Sequence, residues 1–138
     1  MEKSIFDTGF LYAYFDETDA HHELCAKIFP GELLNALLPD IVLPELAYLT
    51  LRRLGVEKLT RFLRSVTNGD FELVRTTESD LERAAEILEQ YDDNNIDLVD
   101  AVTFAMAERL KTKRILTVDR RHFGVFRPAH CEAFELLP

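Results

Sequence analysis

The chain is organised around residues 95–107, which read Asn-Ile-Asp-Leu-Val-Asp-Ala-Val-Thr-Phe-Ala-Met-Ala. From residue 98 to residue 110 the sequence is apolar on almost every side, which is typical of a helix in a protein interior. Asp97 and Asp100 lie at its start, and on a helix this spacing places both carboxylates on one face, about one turn apart. Because carboxylates beside a buried element are costly unless they are paired, hydrogen-bonded or metal-bound, this helix start is a candidate site.

A purely structural role would also explain these two aspartates. Asp97 would cap the helix, and Asp100 would accept backbone N–H bonds and interact favourably with the helix dipole. Taken alone, the capping interpretation is the simpler one. The positions of three further acids favour a shared site.

These three acids also accompany apolar segments. Asp7 follows Ile5-Phe6, and Asp119 closes the run Ile115-Leu-Thr-Val-Asp119, so that each ends a short apolar segment typical of a buried strand. Glu45 follows Pro44, which suits the first position of a helix. On its own, Glu45 would be an ordinary surface acid that stabilises the helix dipole.

The order of the apolar segments predicts the fold. Strands alternate with helices, which favours a three-layer α/β/α fold with a mostly parallel sheet covered on both faces. Sites in such folds form beyond the carboxyl ends of the strands, and we therefore expect one acidic pocket there. The predicted strands are 4–6, 41–43, 71–74, 114–118 and 132–136, and the predicted helices are 10–15, 21–29, 32–38, 45–54, 56–66, 80–91 and 98–110. Pro30-Gly31 is expected to end the second helix, and residues 120–123 to form a turn.

Composition limits the function classes. The chain has 138 residues, of which 47% are hydrophobic and 30% charged, which predicts one domain spanning residues 1–138. No apolar run reaches the roughly 18–20 residues that cross a bilayer, and the first residues do not resemble a signal peptide. The two cysteines lack metal-binding spacing, which favours a reduced, cytoplasmic location. The net charge of −9 counts against a simple nucleic-acid groove, because nucleic-acid binders are more often basic.

The ordered set of motifs resembles the PIN-domain nucleases, and more closely the VapC-type toxins of type II toxin–antitoxin pairs. The resemblance covers nearly the whole chain, and no single motif is specific for the family. The motifs are Asp7-Thr8, Asp19-Ala-His21, Leu43-Pro-Glu-Leu46, Asp97-Leu-Val-Asp-Ala101 and Leu116-Thr-Val-Asp-Arg-Arg-His-Phe123.

The resemblance implies an acidic metal site that cleaves RNA. Its catalytic and metal-binding residues are Asp7, Glu45, Asp100 and Asp119, with auxiliary roles for Asp97, Thr8 and Thr117. Carboxylate oxygens favour Mg²⁺ or Mn²⁺, and the chain has no His/Cys set at zinc spacing. The reaction expected is hydrolysis of a phosphodiester by an activated water, leaving a 5′-phosphate.

The resemblance and the charges also suggest partners. Arg120 and Arg121 follow Asp119 directly and are candidates for contacts to the RNA backbone. A small antitoxin protein is expected to cover the site of a toxin, and a homodimer is expected as well. The aromatic segment 10–15 and the helix 45–54 are candidate partner surfaces, although the aromatic residues could simply be core.

Two other functions fit parts of the sequence. A strand that ends in aspartate also begins proteins that transfer phosphoryl groups through that aspartate, but Asp7-Thr8-Gly9 lacks the second aspartate expected there. A PIN-like fold could instead serve as a catalytically silent binding or scaffold module. The complete set of four acids argues against the silent module.

Overall fold

A five-stranded parallel sheet forms the centre of the protein, whose structure is a computed structural model describing residues 2–138. The strands lie in the order β3-β2-β1-β4-β5, and each neighbouring pair is parallel. In chain order they are β1 (Ser4–Phe6), β2 (Ala36–Pro39), β3 (Glu72–Val74), β4 (Arg114–Leu116) and β5 (Glu135–Leu137).

Seven α-helices connect and cover the strands within residues 2–138. In chain order they are α1 (Thr8–Phe15), α2 (His22–Glu32), α3 (Leu43–Arg53), α4 (Val56–Thr67), α5 (Glu78–Gln90), α6 (Leu98–Leu110) and α7 (Arg120–Val125). None of these helices combines the length and the apolarity required to pass through a membrane.

The two faces of the sheet bury separate clusters of apolar side chains. Ile5 and Phe6 are neighbours in β1 but belong to different clusters, because successive strand residues point to opposite faces. Phe6 packs with residues of α1 to α4, whereas Ile5 packs with residues of α5 and α6 and with Phe123 of α7. This arrangement confirms the α/β/α fold.

The aromatic segment of α1 belongs to the core. Phe10, Leu11, Tyr12 and Phe15 are all buried, and only the Tyr14 side chain among its aromatic residues is partly exposed. The simpler interpretation of this segment is therefore correct.

The second strand was predicted in the wrong place. Residues 41–43 were expected to be a strand and residues 32–38 a helix, whereas β2 begins at Ala36 and a 3₁₀ turn occupies Asp40–Val42. Residues 33–43 are apolar or proline except for Asn35 and Asp40, so the apolar pattern does not locate the strand. The position of the strand is set by its pairing with β1, in which Ala36 lies opposite Ser4.

The prediction that Pro30-Gly31 ends the second helix was also wrong. Helix α2 continues through Pro30 to Glu32. The Glu32 carboxylate accepts hydrogen bonds from Ser4 Oγ at 3.2 Å and from the Arg114 guanidinium at 3.3 Å. These tertiary contacts hold the last turn in place although proline removes one helical hydrogen bond.

A third difference lies directly after Asp119, where a turn was predicted and the structure has helix α7. Asp119 caps this helix, since its Oδ1 accepts a 3.1 Å hydrogen bond from the backbone N–H of His122. The buried Phe123 ring packs edge-on against Phe104 of α6, with ring centroids 4.9 Å apart. This contact stabilises a helix too short to be stable alone.

Candidate active site

Asp7 lies at the carboxyl end of β1 and is buried, with 7% of its surface exposed. The Thr117 hydroxyl, which follows β4, donates a 2.7 Å hydrogen bond to Asp7 Oδ2. The pKa of Asp7 is raised to about 6, mainly by burial and to a smaller extent by the charges of Asp119 and Glu45, while the hydrogen bond from Thr117 opposes the rise. Within residues 2–138, Asp7 is therefore a buried carboxyl group without a positively charged partner.

Asp97 and Asp100 form a reciprocal cap at the start of α6. Asp97 Oδ1 accepts a 2.9 Å hydrogen bond from the Asp100 N–H, and Asp100 Oδ2 accepts a 3.4 Å bond from the Asp97 N–H. The capping interpretation is therefore correct. It does not exclude a site, because Asp100 is also buried among other acids.

The pKa of Asp100 is raised to about 8. Burial is the largest cause, followed by the negative charges of Asp97, Asp7 and Asp119. Asp97 differs from Asp100 in being exposed to solvent. The structure thus brings Asp7, Asp100 and Asp119 close enough for their charges to interact, although they are far apart in sequence.

Asp119 lies beyond the carboxyl end of β4 and is half-buried. Its N–H donates a 2.9 Å hydrogen bond to Thr117 Oγ1. The Thr117 hydroxyl therefore accepts from the backbone of Asp119 while it donates to the side chain of Asp7. One buried hydroxyl connects the two strand ends that carry these acids.

Glu45 and Thr8 lie at the edge of this group. Glu45 is exposed in the first turn of α3, and its charge is close enough to raise the pKa of Asp7. Its carboxylate has no hydrogen-bond or ion-pair partner within residues 2–138. The Thr8 hydroxyl is buried and also lacks a partner in the described chain, but the Thr8 backbone lowers the pKa of Asp7 through a hydrogen bond.

His122 was not among the residues selected from the sequence, yet it contacts two of the acids. Its Nδ1 atom lies 3.1 Å from Asp100 Oδ2 and 3.0 Å from Asp119 Oδ2. The spacing of three between Asp119 and His122 would have indicated a shared helix face if a helix had been predicted there. The predicted turn concealed this signal.

The two arginines after Asp119 have different surroundings, although both are exposed. The Arg120 guanidinium donates hydrogen bonds to the main-chain oxygens of Leu136 and Pro138. Arg121 makes no side-chain hydrogen bond or ion pair within residues 2–138. Arg121 is therefore the freer of the two to contact another molecule.

The donor set suits a hard divalent cation. Ligand atoms from Asp100, Asp119 and His122 lie within 4.8 Å of one another. Asp7 and Asp100 both have raised pKa values because burial and neighbouring negative charges disfavour their ionised forms. A bound cation would remove that disadvantage, and carboxylate oxygens are the ligands that Mg²⁺ and Mn²⁺ prefer.

Comparison with protein families assigns the chain to one group. The family model described as "PIN domain" matches residues 4–126, which include all four acids. The chain belongs to the PIN domain family. This assignment replaces the alternative hypothesis of phosphoryl transfer on Asp7, which required a different family.

Relatives of this PIN domain match almost all of the chain. It is 34% identical over 134 residues to Ribonuclease VapC26 of Mycobacterium tuberculosis, covering 97% of this chain and 99% of that protein. Its structure resembles crystal structures of two proteins at lower identity. VapC20 of M. tuberculosis, a "Sarcin-Ricin loop cleaving toxin", has a TM-score of 0.83 at 20% identity, covering 94% of this chain and 99% of that one. A chain of the DNA-bound VapBC complex of Salmonella typhimurium has a TM-score of 0.72 at 15% identity. This match covers 99% of this chain and 97% of that one.

Proposed function

We propose that this PIN domain is a metal-dependent endoribonuclease, and that it is the toxin of a toxin–antitoxin pair. The observation that carries the proposal is the convergence of Asp7, Asp100 and Asp119 at the carboxyl ends of β1 and β4 and at the start of α6. The identity of 34% to a protein named as a ribonuclease supports it.

The metal ligands in this proposal are the carboxylates of Asp7, Asp100 and Asp119, with Glu45 at the edge of the group. Mg²⁺ or Mn²⁺ bound there would supply a water nucleophile at neutral pH and stabilise charge on the phosphodiester oxygens. The pKa values of Asp7 and Asp100 are raised to about 6 and about 8, so near pH 6 the metal-free protein keeps the proton on Asp100 and about half of the proton on Asp7. Binding of the ion would displace these protons.

The remaining residues of the site have positioning roles. Thr117 holds the Asp7 carboxylate and the Asp119 backbone in one arrangement, and Asp97 fixes the first turn of α6 that carries Asp100. Preorganised side chains of this kind reduce the reorganisation that ligand binding would otherwise require. The Thr8 backbone has a smaller role of the same kind at Asp7.

The proposed substrate is single-stranded RNA or the loop of a folded RNA. Arg121 is exposed and follows Asp119 by two residues, which suits a contact to a backbone phosphate. Arg120 is the second candidate, although its present bonds to main-chain oxygens limit its freedom. With a net charge of −9, local arginines rather than overall charge must attract the RNA.

The proposed partners are a small antitoxin and a second copy of this chain, in the cytoplasm. Helix α3 carries Glu45 in its first turn and exposes two large apolar side chains, with 59% of Tyr48 and 49% of Leu51 accessible. Exposed apolar residues beside a site are typical of a protein-binding surface. This surface is the part of helix 45–54 that we expect a partner to cover.

The experiment is RNA cleavage by the purified chain with Mg²⁺, Mn²⁺ or a chelator, followed by sequencing of the cut ends. We expect metal-dependent cuts that leave 5′-phosphates, with Asp7→Asn and Asp100→Asn reducing the rate at least about 100-fold. Glu57→Gln, on the exposed face of α4, is the matched control and should cleave normally. Intact RNA under all conditions, with Mn²⁺ unbound in calorimetry, would favour the catalytically silent binding module.

A further inference from the structure

His122 lies between two carboxylates of the proposed metal site. Its Nδ1 atom is 3.1 Å from Asp100 Oδ2 and 3.0 Å from Asp119 Oδ2, and all three ligand atoms lie within 4.8 Å of one another. Helix α7 carries His122, so the contact joins this helix to the start of α6. The imidazole is therefore part of the acidic group.

The two contact distances suit neighbouring ligands of one octahedral ion. Such ligands are separated by the bond length times the square root of two, which is about 3.0 Å for metal–ligand bonds of about 2.1 Å. A tetrahedral ion with similar bonds would need about 3.4 Å. The same separations are also hydrogen-bond lengths, so before an ion binds the Nδ1–H group can donate to these carboxylates. Binding of the ion at Nδ1 would move that proton to Nε2.

Nδ1 of His122 can act as a metal ligand if the ring proton resides on the other nitrogen, Nε2. His122 Nε2 is buried and has no hydrogen-bond partner in the part of the chain that the structure describes. Nε2 is therefore free to carry the ring proton. With the proton on Nε2, the lone pair of Nδ1 would face an ion held by Asp100 and Asp119.

We propose, building on the nuclease function proposed above, that His122 coordinates the divalent ion through Nδ1 together with Asp100 and Asp119, and that this nitrogen makes the site prefer Mn²⁺ to Mg²⁺. Mg²⁺ demands oxygen ligands and retains its waters, whereas imidazole binds transition metals more readily. A site of carboxylates alone would lack this basis for selection.

The first test is pulsed electron paramagnetic resonance of the Mn²⁺-loaded chain, freed of any affinity tag. The spectrum should show coupling to one directly bound nitrogen, and this coupling should change when the histidines are labelled with ¹⁵N. His122→Phe removes the nitrogen and keeps a ring of similar shape, so the coupling should disappear. His130→Phe is the control and should retain it, since His130 contacts the carbonyl of Thr112 instead of the acids.

The second test is calorimetry with Mn²⁺ and Mg²⁺ separately. We expect the ratio of the two affinities to fall about tenfold or more in His122→Phe, with most of the change in Mn²⁺ binding. Equal losses of affinity for the two ions, or Mn²⁺ bound without a histidine nitrogen, would overturn the inference and leave the nuclease proposal intact.

If the unmutated chain binds neither ion and leaves RNA uncut, the nuclease proposal itself fails. Circular dichroism checks the fold of His122→Phe, and the labelled spectrum of the unmutated chain decides the matter if that variant does not fold.

Discussion

The Thr117 hydroxyl donates a 2.7 Å hydrogen bond to Asp7 Oδ2 across 110 positions of sequence. The bond is buried, and it joins the loop after β4 to the residue after β1, the two strands paired in parallel at the centre of the sheet. Because the same hydroxyl accepts from the Asp119 N–H, it sets the separation of two acids of the proposed metal site.

Thr117→Val is expected to raise the pKa of Asp7 above its present value of about 6, because the hydrogen bond now favours the ionised carboxylate. A hydrogen bond to a charged group contributes about 1.5–3 kcal/mol, which corresponds to a rise of about one to two pH units. Carboxyl-carbon NMR titration of the metal-free protein measures it. Thr117→Ser retains the hydroxyl and should titrate like the unmutated chain. An unchanged pKa in Thr117→Val would show that the bond does not govern Asp7.

The metal-free protein is expected to lose stability as the pH rises from about 4 to about 8. The unfolded chain ionises Asp7 and Asp100 near the ordinary pKa of 3.8, whereas the folded chain retains their protons up to about 6 and about 8. The folded state therefore binds more protons in this window, and the free energy of unfolding falls with pH. For Asp7 alone, a rise of about two units corresponds to about 3 kcal/mol. Urea denaturation at a series of pH values, with a chelator present, measures the fall.

Asp7→Asn tests the same dependence of stability on pH by removing the ionisation of Asp7. Asparagine resembles the protonated acid and can still accept from Thr117, so this variant should be more stable than the unmutated chain at pH 8 without metal. At pH 4 the two should be equally stable. Saturating Mn²⁺ should reverse the order at pH 8, because it stabilises only the chain that binds it. A variant less stable than the unmutated chain at pH 8 in chelator would contradict the assigned pKa shift.

Asp97→Ala and Asp97→Asn separate capping from charge at the start of α6. Alanine removes the acceptor for the Asp100 N–H and should cost about 1 kcal/mol of unfolding free energy. Asparagine also caps helices well and should cost little. Both changes should lower the pKa of Asp100, because the negative charge of Asp97 raises it. Equal stability of the two variants would show that the cap contributes nothing measurable.

The acids were predictable from sequence because their signals are local. Asp7 and Asp119 each end an apolar segment at a strand, and Asp97 and Asp100 open a helix that is apolar all round. In a parallel sheet, strand ends lie at one edge whatever their order in the chain. A correct alternation of strands and helices was therefore enough to place these acids near one another.

The structural features that the sequence did not predict depend on contacts between residues that are distant in sequence. The strand Ala36–Pro39 is located by its register with β1, and the apolar segment around it has no periodicity that shows this. His122 reaches the acids only because α7 forms, and α7 is held by Phe123 against Phe104. A six-residue helix has too few hydrogen bonds to be recognised from propensity alone.

Arg120 and Arg121 are expected to differ in what they contribute. Arg121→Ala should weaken RNA binding and reduce the slope of log affinity against log salt by about one, because one phosphate contact is lost. Arg120→Ala should instead lower thermal stability, since its guanidinium bonds to the oxygens of Leu136 and Pro138. Fluorescence anisotropy with a short RNA, at several salt concentrations and in Ca²⁺ to prevent cleavage, measures the first effect. An RNA affinity that depends on Arg120 and is unaffected by Arg121 would contradict this assignment.

Arg109→Met is expected to destabilise the fold by about 2–4 kcal/mol without changing metal binding. The Arg109 guanidinium donates two 2.9 Å hydrogen bonds to the Asp80 carboxylate, whose side chain is 2% exposed. Removing the arginine leaves a buried carboxylate without its positive partner, which is costly because the charge remains out of water. Arg109 also holds the pKa of Asp80 below its usual range, so the stabilising effect of Arg109 should disappear as the pH falls toward the acid range.

Arg61→Met, which removes an exposed pair with Glu57, is the matched control and should cost about 0.5 kcal/mol or less. Urea denaturation of both variants at pH 7 gives the comparison, and similar costs for the two pairs would show that burial does not distinguish them.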